Sequence, residues 1–366
     1  MKIGILTYHR AENYGALLQA YAMMTYLRSL GHEVSFVDYW PKYHSDYFEV
    51  FSLKAFMHSS FKSKLLKLNR LLLMGHTLYK RKRTMQEFMF TQLELPKHPK
   101  YTDRNLVTEE RYDAVIYGSD QIWRKQPEIK TYNPVYFGKH DIKTKKKITY
   151  AASMGVLPQK NSEYAILKDY MSHLDSISVR EKSLQELVMN LGFEKVSHDL
   201  DPTHLLNQEY WVNKFKLVKN DKPYALYYKI QDSFDIQELR RYAKSKGLNL
   251  KVIHSRARCA ESEENITTAS PLQFLQLIYG ASMVFTSSFH GLAFSLIFQK
   301  PFYASFTKNA DRAMSLLKQC NLEDQFLMPQ STIPSKEKTI DYLNVDFTLD
   351  KLRSISIANL EESLSF

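Results

Sequence analysis

Short apolar runs alternate with segments of helical spacing along the first half of this chain. Residues 2–8 read KIGILTY, a run typical of a buried strand, and residues 13–31 then carry apolar side chains at helical intervals. Strand-like runs follow at 113–119 and 147–155, before a helical segment at 181–192. Strands that alternate with helices in this way predict a parallel sheet covered by helices on both faces.

The alternation lapses over residues 206–223 and then resumes. The lapse is polar and ends at Pro223, which predicts a domain boundary. Beyond it, three strand-like runs alternate with three helical segments: the runs are 224–230, 249–255 and 283–288, and the helical segments are 235–247, 270–281 and 291–299. A length of 366 residues also suits two domains.

We therefore predict an α/β protein with two domains and a cleft between them. The N-terminal domain is expected at 1–206, with a basic helical insertion at about 52–93, and the C-terminal domain at 223–366. Because loops at the carboxyl ends of parallel strands bind ligands in such folds, we expect the functional residues there.

The chain is basic, with 50 Lys and Arg residues against 39 Asp and Glu and a formal charge of +11. This balance favours acidic or phosphorylated partners. The sequence contains no recognisable nucleic-acid reading module, so we expect no nucleic-acid partner. Cys259 and Cys320 are too few for a disulfide framework. The apolar runs are too short for a signal peptide or a membrane span, and we expect a cytoplasmic protein.

The stretch TSSFHGLAFSLIFQKPFY at 286–303 places a histidine and a glycine between a strand and an apolar helix. Ser287, Ser288 and His290 would then lie at the carboxyl end of the strand, beside the free N–H groups of the helix. Gly291 would let a ligand approach the backbone closely. A histidine there can exchange a proton beside a bound phosphate or carboxylate. The alternative is that His290 only caps its own helix.

Six segments, in this order, resemble the polysaccharide pyruvyl transferase family: NYGALLQAYAM at 13–23, DAVIYGSDQIW at 113–123, YAASMG at 150–155, ISVRE at 177–181, DPT at 201–203 and TSSFHGLAFSLIFQKPF at 286–302. The resemblance implies two Rossmann-like domains, as in GT-B glycosyltransferases, with parallel sheets that face each other across a cleft. It also implies a reaction of cell-surface polysaccharide biosynthesis. In that reaction the enolpyruvyl unit of phosphoenolpyruvate moves onto two hydroxyls of a sugar, giving a cyclic pyruvate ketal and phosphate.

The implied partners are phosphoenolpyruvate, as donor substrate with no further cofactor, and a sugar or lipid-linked saccharide as acceptor. His290 is then the general acid that protonates the methylene carbon of the donor. Arg180 resembles a family arginine that contacts the donor, although a surface ion pair with Glu181 is the alternative. Asp120 is expected to orient or deprotonate the acceptor hydroxyl, although it can equally be a helix cap.

The remaining assignments divide between donor and acceptor. Ser287, Ser288 and Gly291 are expected to bind the donor. For the acceptor side we name the first strand–helix turn and one polar residue after a later strand: Asn13, Tyr14, Gly15 and Gln121. The three turn residues can instead serve only to pack the cleft.

The chain departs from the family at one position. Many members have Arg-x-His-Gly where this chain has Ser288, Phe289, His290 and Gly291, so an anion-binding arginine is missing. Four basic residues can replace it, or can be solvated surface charges: Lys308, Arg312, Arg256 and Arg258.

Asp199 and Asp201 have the spacing with which many glycosyltransferases hold a divalent metal. Because Pro202 follows and the resemblance places this segment at a turn, we favour a turn and expect no metal. The sequence contains neither a dinucleotide fingerprint nor a Walker motif.

The segment from 52 to 93 mixes basic and apolar residues. It suits attachment to an anionic membrane, or it is a helical insertion whose apolar face covers the N-terminal sheet. Within it, LYKRKR at 78–83 is a candidate phosphate or membrane contact. Two other functions stay open: a GT-B-like glycosyltransferase that uses a nucleotide-sugar, and a non-enzymatic scaffold attached to a surface.

Overall fold

The computed structural model describes residues 1–48, 57, 60–102, 107–255, 259–336 and 338–365. Arg256 and Arg258, two of the four candidates for the missing family arginine, lie outside the described residues.

The first sheet is parallel and has the strand order β2-β1-β3-β4. Its strands are β1 (Lys2–Leu6), β2 (Glu33–Phe36), β3 (Val107–Tyr117) and β4 (Asp141–Thr149). The parallel pair β5 (Ile177–Val179) and β6 (Val196–His198) extends the sheet, because single bridges join Ile148 to Ser176 and Ala152 to Val179. The helices of this half are α1 (Tyr14–Ser29), α2 (Lys42–Phe48), α3 (Phe61–Thr91), α4 (Asn161–Met171) and α5 (Lys182–Asn190).

The second sheet is also parallel and has the order β11-β10-β7-β8-β9. Its strands are β7 (Tyr224–Lys229), β8 (Asn249–His254), β9 (Asn265–Ile266), β10 (Met283–Thr286) and β11 (Phe302–Ala304). Its helices are α6 (Gln208–Phe215), α7 (Ile236–Ser245), α8 (Pro271–Gly280), α9 (Phe289–Ile297), α10 (Asp311–Gln319) and α11 (Tyr342–Leu364). Short 3-10 turns occupy 134–137, 202–205 and 323–325. The predicted α/β fold with two parallel sheets is confirmed.

The start of α9 differs from the sequence prediction. The helix begins at Phe289 rather than at residue 291, because the side chain of Ser288 accepts a hydrogen bond from the N–H of Gly291. Serine is a favourable N-cap because its hydroxyl satisfies an otherwise free N–H. His290 therefore lies inside the first turn of α9 and does not cap it.

Helix α1 joins the two halves. Almost every residue along it is buried, and its first residue, Tyr14, stacks on Phe274 of α8 with ring centroids 4.7 Å apart. A single apolar cluster includes Leu17 of this helix together with Leu226 and Phe294 of the second half. Because this core is continuous, packing holds the two sheets in a fixed relation.

Helix α11 packs back onto the first half of the chain. Asn359 donates to Oδ1 of Asp199 at 2.7 Å, and the hydroxyl of Ser356 accepts from the backbone N–H of Leu200 at 3.0 Å. At its start the same helix contacts the second half, because the hydroxyl of Tyr342 donates to the carbonyl of Lys300. Helix α11 therefore contacts both halves, and the domain limits stay a prediction.

Helix α3, from the predicted basic insertion, also connects the halves. The guanidinium of Arg81 is buried and donates to the hydroxyl of Tyr14 at 2.9 Å and to the carbonyls of Ser255 and Thr267 at 2.7 and 3.0 Å. One cation of the 78–83 run is therefore internal, whereas Lys80 and Arg83 are exposed. None of the helices in the described ranges is long and apolar enough to cross a bilayer.

Candidate active site

A cleft of about 260 Å³ opens between the two sheets, at the carboxyl ends of their central strands. The N-terminal half contributes Asn13, Asp120 and Gln121 to its lining, and the C-terminal half contributes residues 287–290 and Arg312. The first turn of α9 thus opens into the cleft, and its free N–H groups and the positive end of the helix dipole favour an anion there.

His290 lies at the junction of the two halves. Its ring packs directly on Gly15 in the first turn of α1, where any Cβ would overlap the imidazole. Only glycine leaves this space, so the sequence of α1 determines where the imidazole of α9 sits. Gly15 therefore acts on the site by making room for His290, and it does not itself line the cleft.

Asp201 connects His290 to Arg180. Its Oδ2 lies 3.5 Å from Nε2 of His290 and accepts a hydrogen bond from the guanidinium of Arg180. The hydroxyl of Ser119 also donates to Oδ2 at 3.3 Å, and Oδ1 accepts from the N–H and the hydroxyl of Thr203 at 3.1 and 2.8 Å. Every one of these groups is buried. The carboxylate thus accepts four hydrogen bonds from the protein and lies beside the ring of His290.

The charge on Asp201 is set by its neighbours. Burial alone would raise the pKa of this carboxyl, but His290 and Arg180 reverse the effect and hold the pKa well below its ordinary value. Asp201 is therefore ionised across the physiological range. This carboxylate lies beside the imidazole of His290 at the inner side of the cleft.

Arg180 and Arg312 both lie over the ring of Phe289, with guanidinium carbons 4.5 and 5.8 Å from its centroid. Arg180 and Glu181 are buried, so the surface ion pair considered above does not occur. Arg180 lies behind Phe289, and its Nε and Nη2 have no hydrogen-bond partner among the described residues.

Arg312 lines the C-terminal side of the cleft, whereas Arg124 lies at the rim on the N-terminal side. Its Nε lies 4.0 Å from Oε1 of Glu181 and has no hydrogen-bond partner in the described part of the chain. Burial, with Arg180 nearby, lowers the pKa of Arg312 to about 10, so the group stays cationic at neutral pH. Burial raises the pKa of Glu181 against the effect of Arg180 and Arg312. Arg312 is therefore a largely buried cation with unused hydrogen-bonding capacity.

Asp120 and Gln121 lie at the cleft, after β3. Asp120 has a positive φ of 64°, and its carboxylate accepts from the N–H of Gln121 at 2.8 Å. No helix begins here, so Asp120 is not the helix cap considered as its alternative. Gln121 packs against Gly155, where a Cβ would overlap its amide. This contact places the YAASMG segment at 150–155 next to Gln121.

The predicted donor-binding residues fall into different surroundings. Ser287 and Ser288 line the cleft, but the hydroxyl of Ser287 accepts from the N–H groups of Ile230 and Gln231, and Ser288 caps α9. Gly291 does not line the cleft, and a Cβ added to it would overlap the hydroxyl of Thr286. Lys308 is exposed and is also outside the lining.

Of the predicted acceptor-side residues, Asn13 and Gln121 line the cleft. Asn13 also caps α1, since its side chain accepts from the N–H of Ala16 at 3.2 Å. Tyr14 points away, with its hydroxyl donating to the carbonyl of Ala269 at 3.1 Å and accepting from Arg81. Tyr14 therefore packs the junction between the halves.

The two aspartates with metal-like spacing are both engaged by protein donors. Asp199 accepts from Ser178, Ser197 and Asn359 at 2.5 to 2.7 Å, and Asp201 faces Arg180 and His290. A cation would have to displace these donors, so the residues do not favour a metal site. The expectation of no metal stays a prediction.

Asp201 is a candidate site residue that the sequence did not single out for this role. The turn expected for its segment is present, since the carboxylate caps the 3-10 turn at 202–205. Its contacts with Arg180 and His290 depend on β5 and α9, which are distant in the sequence. No local pattern around Asp201 predicts these contacts.

A family model for polysaccharide pyruvyl transferase matches residues 13–305. None of the curated proteins matches the sequence significantly.

Among solved structures, the chain is similar to UDP-GlcNAc 2-epimerase from Methanocaldococcus jannaschii in complex with UDP-GlcNAc and UDP, with 10% identity, a TM-score of 0.47, and 96% of this chain and 93% of that chain covered. It is similar to the E. coli heptosyltransferase WaaC with ADP at 12% identity and a TM-score of 0.38, with 96% and 100% covered. It is also similar to UDP-N-acetylglucosamine 2-epimerase from Rickettsia bellii at 10% identity and a TM-score of 0.39, with 97% and 95% covered. These similarities are too distant to bear on the reaction.

Proposed function

Because the chain belongs to the polysaccharide pyruvyl transferase family, we propose that it transfers the enolpyruvyl group of phosphoenolpyruvate to two hydroxyls of a sugar, forming a cyclic pyruvate ketal. The observation that carries this proposal is the contact of one buried carboxylate, Asp201, with both His290 and Arg180 at the wall of the cleft. This contact supports His290 as the proton donor, because it fixes the imidazole at the cleft.

The C-terminal wall of the cleft is complementary in charge to an anionic donor. Phosphoenolpyruvate carries a phosphate and a carboxylate, and the C-terminal side of the cleft offers Arg312 and the first turn of α9. Guanidinium and helix N–H groups are suited to such oxygens. Arg312 takes the part of the arginine that the family has at position 288. Arg180, behind Phe289, adds positive potential without lining the cleft.

In the proposed reaction, two sugar hydroxyl groups add to the donor and one phosphate leaves. A proton adds to the methylene carbon of the donor and leaves a cationic centre at the next carbon, which one sugar hydroxyl attacks with loss of its own proton. The carbon–oxygen bond to phosphate then breaks, phosphate leaves, and a second hydroxyl attacks the same carbon and loses its proton. No oxidant or reductant is consumed.

We assign the protonation to His290 and the acceptor proton to Asp120. His290 lines the cleft, and a carboxylate oxygen of Asp201 lies 3.5 Å from its Nε2. Asp120 lies at the opposite side of the same cleft, on the N-terminal half. An acid and a base on facing walls can act on a donor and an acceptor bound between them.

The proposal is tested by incubating the purified protein with phosphoenolpyruvate and a fraction of lipid-linked saccharides. We expect phosphate release and a product whose mass has risen by one pyruvate less one water, both abolished in His290→Ala. Exposed Lys308→Ala is the matched control and should keep activity. If a nucleotide-sugar is consumed instead of phosphoenolpyruvate, the chain is a glycosyltransferase and the proposal is wrong.

We also propose that α3 attaches the protein to an anionic membrane surface. Leu65, Leu68, Leu72 and Tyr79 repeat at intervals of three, four and seven residues on one face of α3, and all four are exposed. The helix carries eight basic residues and one acid: Lys62, Lys64, Lys67, Arg70, Lys80, Arg81, Lys82, Arg83 and Glu87. Exposed leucines on a basic helix suit the interface of an anionic leaflet. Arg81 links this helix to the junction at Tyr14, so a lipid-linked acceptor would arrive close to the cleft.

A further inference from the structure

The two walls of the cleft differ in chemistry. The C-terminal wall carries Arg312, His290 and the start of α9. The inner part of the N-terminal wall instead carries four buried side chains without formal charge: Tyr8, Trp40, His44 and Gln126, which are 8%, 4%, 9% and 0% exposed. Neither the reaction described above nor the sequence motifs use these four residues.

Three of the four side chains form a ring cluster. Trp40 and His44 stack with centroids 4.7 Å apart, and Tyr8 meets His44 edge-on at 4.9 Å and Trp40 at 6.5 Å. Tyr136 packs edge-on behind Tyr8 at 5.2 Å. Rings held in this way form a rigid amphipathic surface that loses little entropy when a ligand binds.

The polar atoms of this wall are incompletely satisfied. Gln126 donates through Nε2 to the hydroxyl of Tyr8 at 2.6 Å, but its Oε1 has no partner among the described residues, and neither does Nε2 of His44. Leaving a buried polar atom unpaired costs about 1–3 kcal/mol. Two such atoms beside one ring cluster point to a ligand that supplies hydrogen bonds.

The wall is suited to a neutral ligand. Burial, with Arg124 nearby, lowers the pKa of His44 to about 3, so its ring is neutral and can both donate and accept. The amide oxygen of Gln126 can only accept, which suits a hydroxyl and opposes a carboxylate. At the rim, exposed Arg124 and Glu128 carry opposite charges.

We infer that Tyr8, Trp40, His44 and Gln126 form an acceptor subsite that binds an uncharged sugar ring, with its C–H face on the aromatic cluster and hydroxyls on Gln126 and His44. The inference rests on the proposed function, because the ring bound here is the acceptor that faces the donor across the cleft. It adds four residues to Asn13 and Gln121, which line the same cavity.

The test uses saturation-transfer NMR and calorimetry with a panel of probes: methyl glycosides of galactose, mannose, glucose and N-acetylglucosamine, and the methyl glycoside of glucuronic acid as the charged comparison. We expect one or more neutral glycosides to bind the full-length protein and the glucuronide to bind at least 10-fold more weakly. Trp40→Leu and, independently, Gln126→Leu should weaken the neutral probe at least 10-fold. Phe306→Leu, an aromatic of the opposite wall, should not.

Phosphoenolpyruvate binding, measured by calorimetry on the same samples, separates the two proposals. If no neutral glycoside binds, if the glucuronide binds equally well, or if both folded variants bind as the wild type does, the subsite is wrong whatever the donor result. If neutral glycosides bind through Trp40 but phosphoenolpyruvate does not bind, the subsite stands and the proposed reaction fails.

Discussion

Oδ2 of Asp201 lies 3.5 Å from Nε2 of His290, and the same oxygen accepts from Arg180. The three residues come from the turn after β6, the first turn of α9 and the end of β5. The arginine helps to keep this buried carboxylate ionised, and the carboxylate lies against the imidazole. The proposed proton donor and the charged pair beside it are therefore parts of one unit.

The first prediction concerns Asp201→Asn. The amide keeps the shape of the side chain but removes the negative charge that lies 3.5 Å from Nε2 of His290 and pairs with Arg180. If this charge serves the proposed proton transfer, kcat should fall about 100-fold or more, while the Kd for phosphoenolpyruvate changes less. Steady-state kinetics and calorimetry measure the two quantities. A kcat equal to that of wild type in the folded variant would mean that Asp201 serves only the fold.

The same residue predicts acid sensitivity. Because the fold depresses the pKa of Asp201, its ionised form stabilises the native state above the ordinary value of 3.8, and this contribution is lost as the pH falls further toward the folded value. The free energy of unfolding from urea titrations should therefore fall with acidification below about pH 4 more steeply in wild type than in Asp201→Asn. If the free energy of unfolding falls equally steeply with acidification in both proteins, the assigned negative charge on Asp201 is wrong.

The second prediction concerns Gly15→Ala. Alanine in a helix is normally stabilising by about 0.5–1 kcal/mol relative to glycine, but here the added Cβ overlaps the ring of His290. We expect kcat to fall at least 10-fold, because His290 has to leave its position beside Asp201. Gly75→Ala in α3 is the matched control, since the nearest atom outside the helix backbone is 3.5 Å from its Cβ. Full activity in Gly15→Ala would show that the imidazole is free to sit elsewhere.

The third prediction compares Arg312→Ala with Lys308→Ala. Both residues were candidates for the missing family arginine, but only Arg312 lines the cleft, and Lys308 is exposed. Loss of Arg312 should raise the Kd for phosphoenolpyruvate at least 10-fold, because charge-assisted hydrogen bonds to its oxygens are lost. Loss of Lys308 should change it less than twofold. Calorimetric titration measures the Kd of each variant. If loss of Lys308 raises the Kd more than loss of Arg312 does, the anion site belongs to Lys308.

The sequence predicted the sheets better than the site, for a physical reason. Strand and helix periodicity is local, so 224–230 and 270–281 matched β7 and α8, with Ser270 and Pro271 at the predicted helix start. The observed start of α9 lies two residues before the predicted one, because the N-cap at Ser288 lets the helix begin at Phe289. A histidine after a strand is itself a local signal, so the sequence can nominate His290, and its role stays a prediction.

The partners of His290 could not be found in this way. Asp201 lies 89 residues before His290 in the sequence, and Gly15 lies 275 residues before it. Their meeting depends on how the two sheets pack, which no local pattern encodes. The basic residues considered for the anion site are a second example. Nothing in the sequence distinguishes largely buried Arg312 from exposed Lys308.

The fourth prediction concerns the exposed face of α3. The double substitution Leu68→Asp and Leu72→Asp should reduce binding to vesicles of phosphatidylglycerol and phosphatidylcholine at least 10-fold, because two exposed leucines no longer enter the interface. The matched control is Leu343→Asp with Phe347→Asp on α11, two side chains that are also exposed but belong to a helix without this basic run. Vesicle flotation measures the bound fraction. The proposal is wrong if the wild-type protein does not bind these vesicles, or if it binds neutral vesicles equally well. It is also wrong if the leucine substitutions change the oligomeric state of the protein.

The fifth prediction concerns Arg81, which ties α3 to the second half of the molecule. Arg81→Met keeps the length of the side chain but leaves the carbonyls of Ser255 and Thr267 without their donor. The free energy of unfolding in urea should fall by about 2–4 kcal/mol, because hydrogen bonds from a buried cation are lost and their acceptors stay buried. Arg83→Met, two residues along the same helix and exposed, should change it by less than about 0.5 kcal/mol. Equal stability of the two variants would mean that α3 is held by its apolar contacts at Met85 and Phe88 alone.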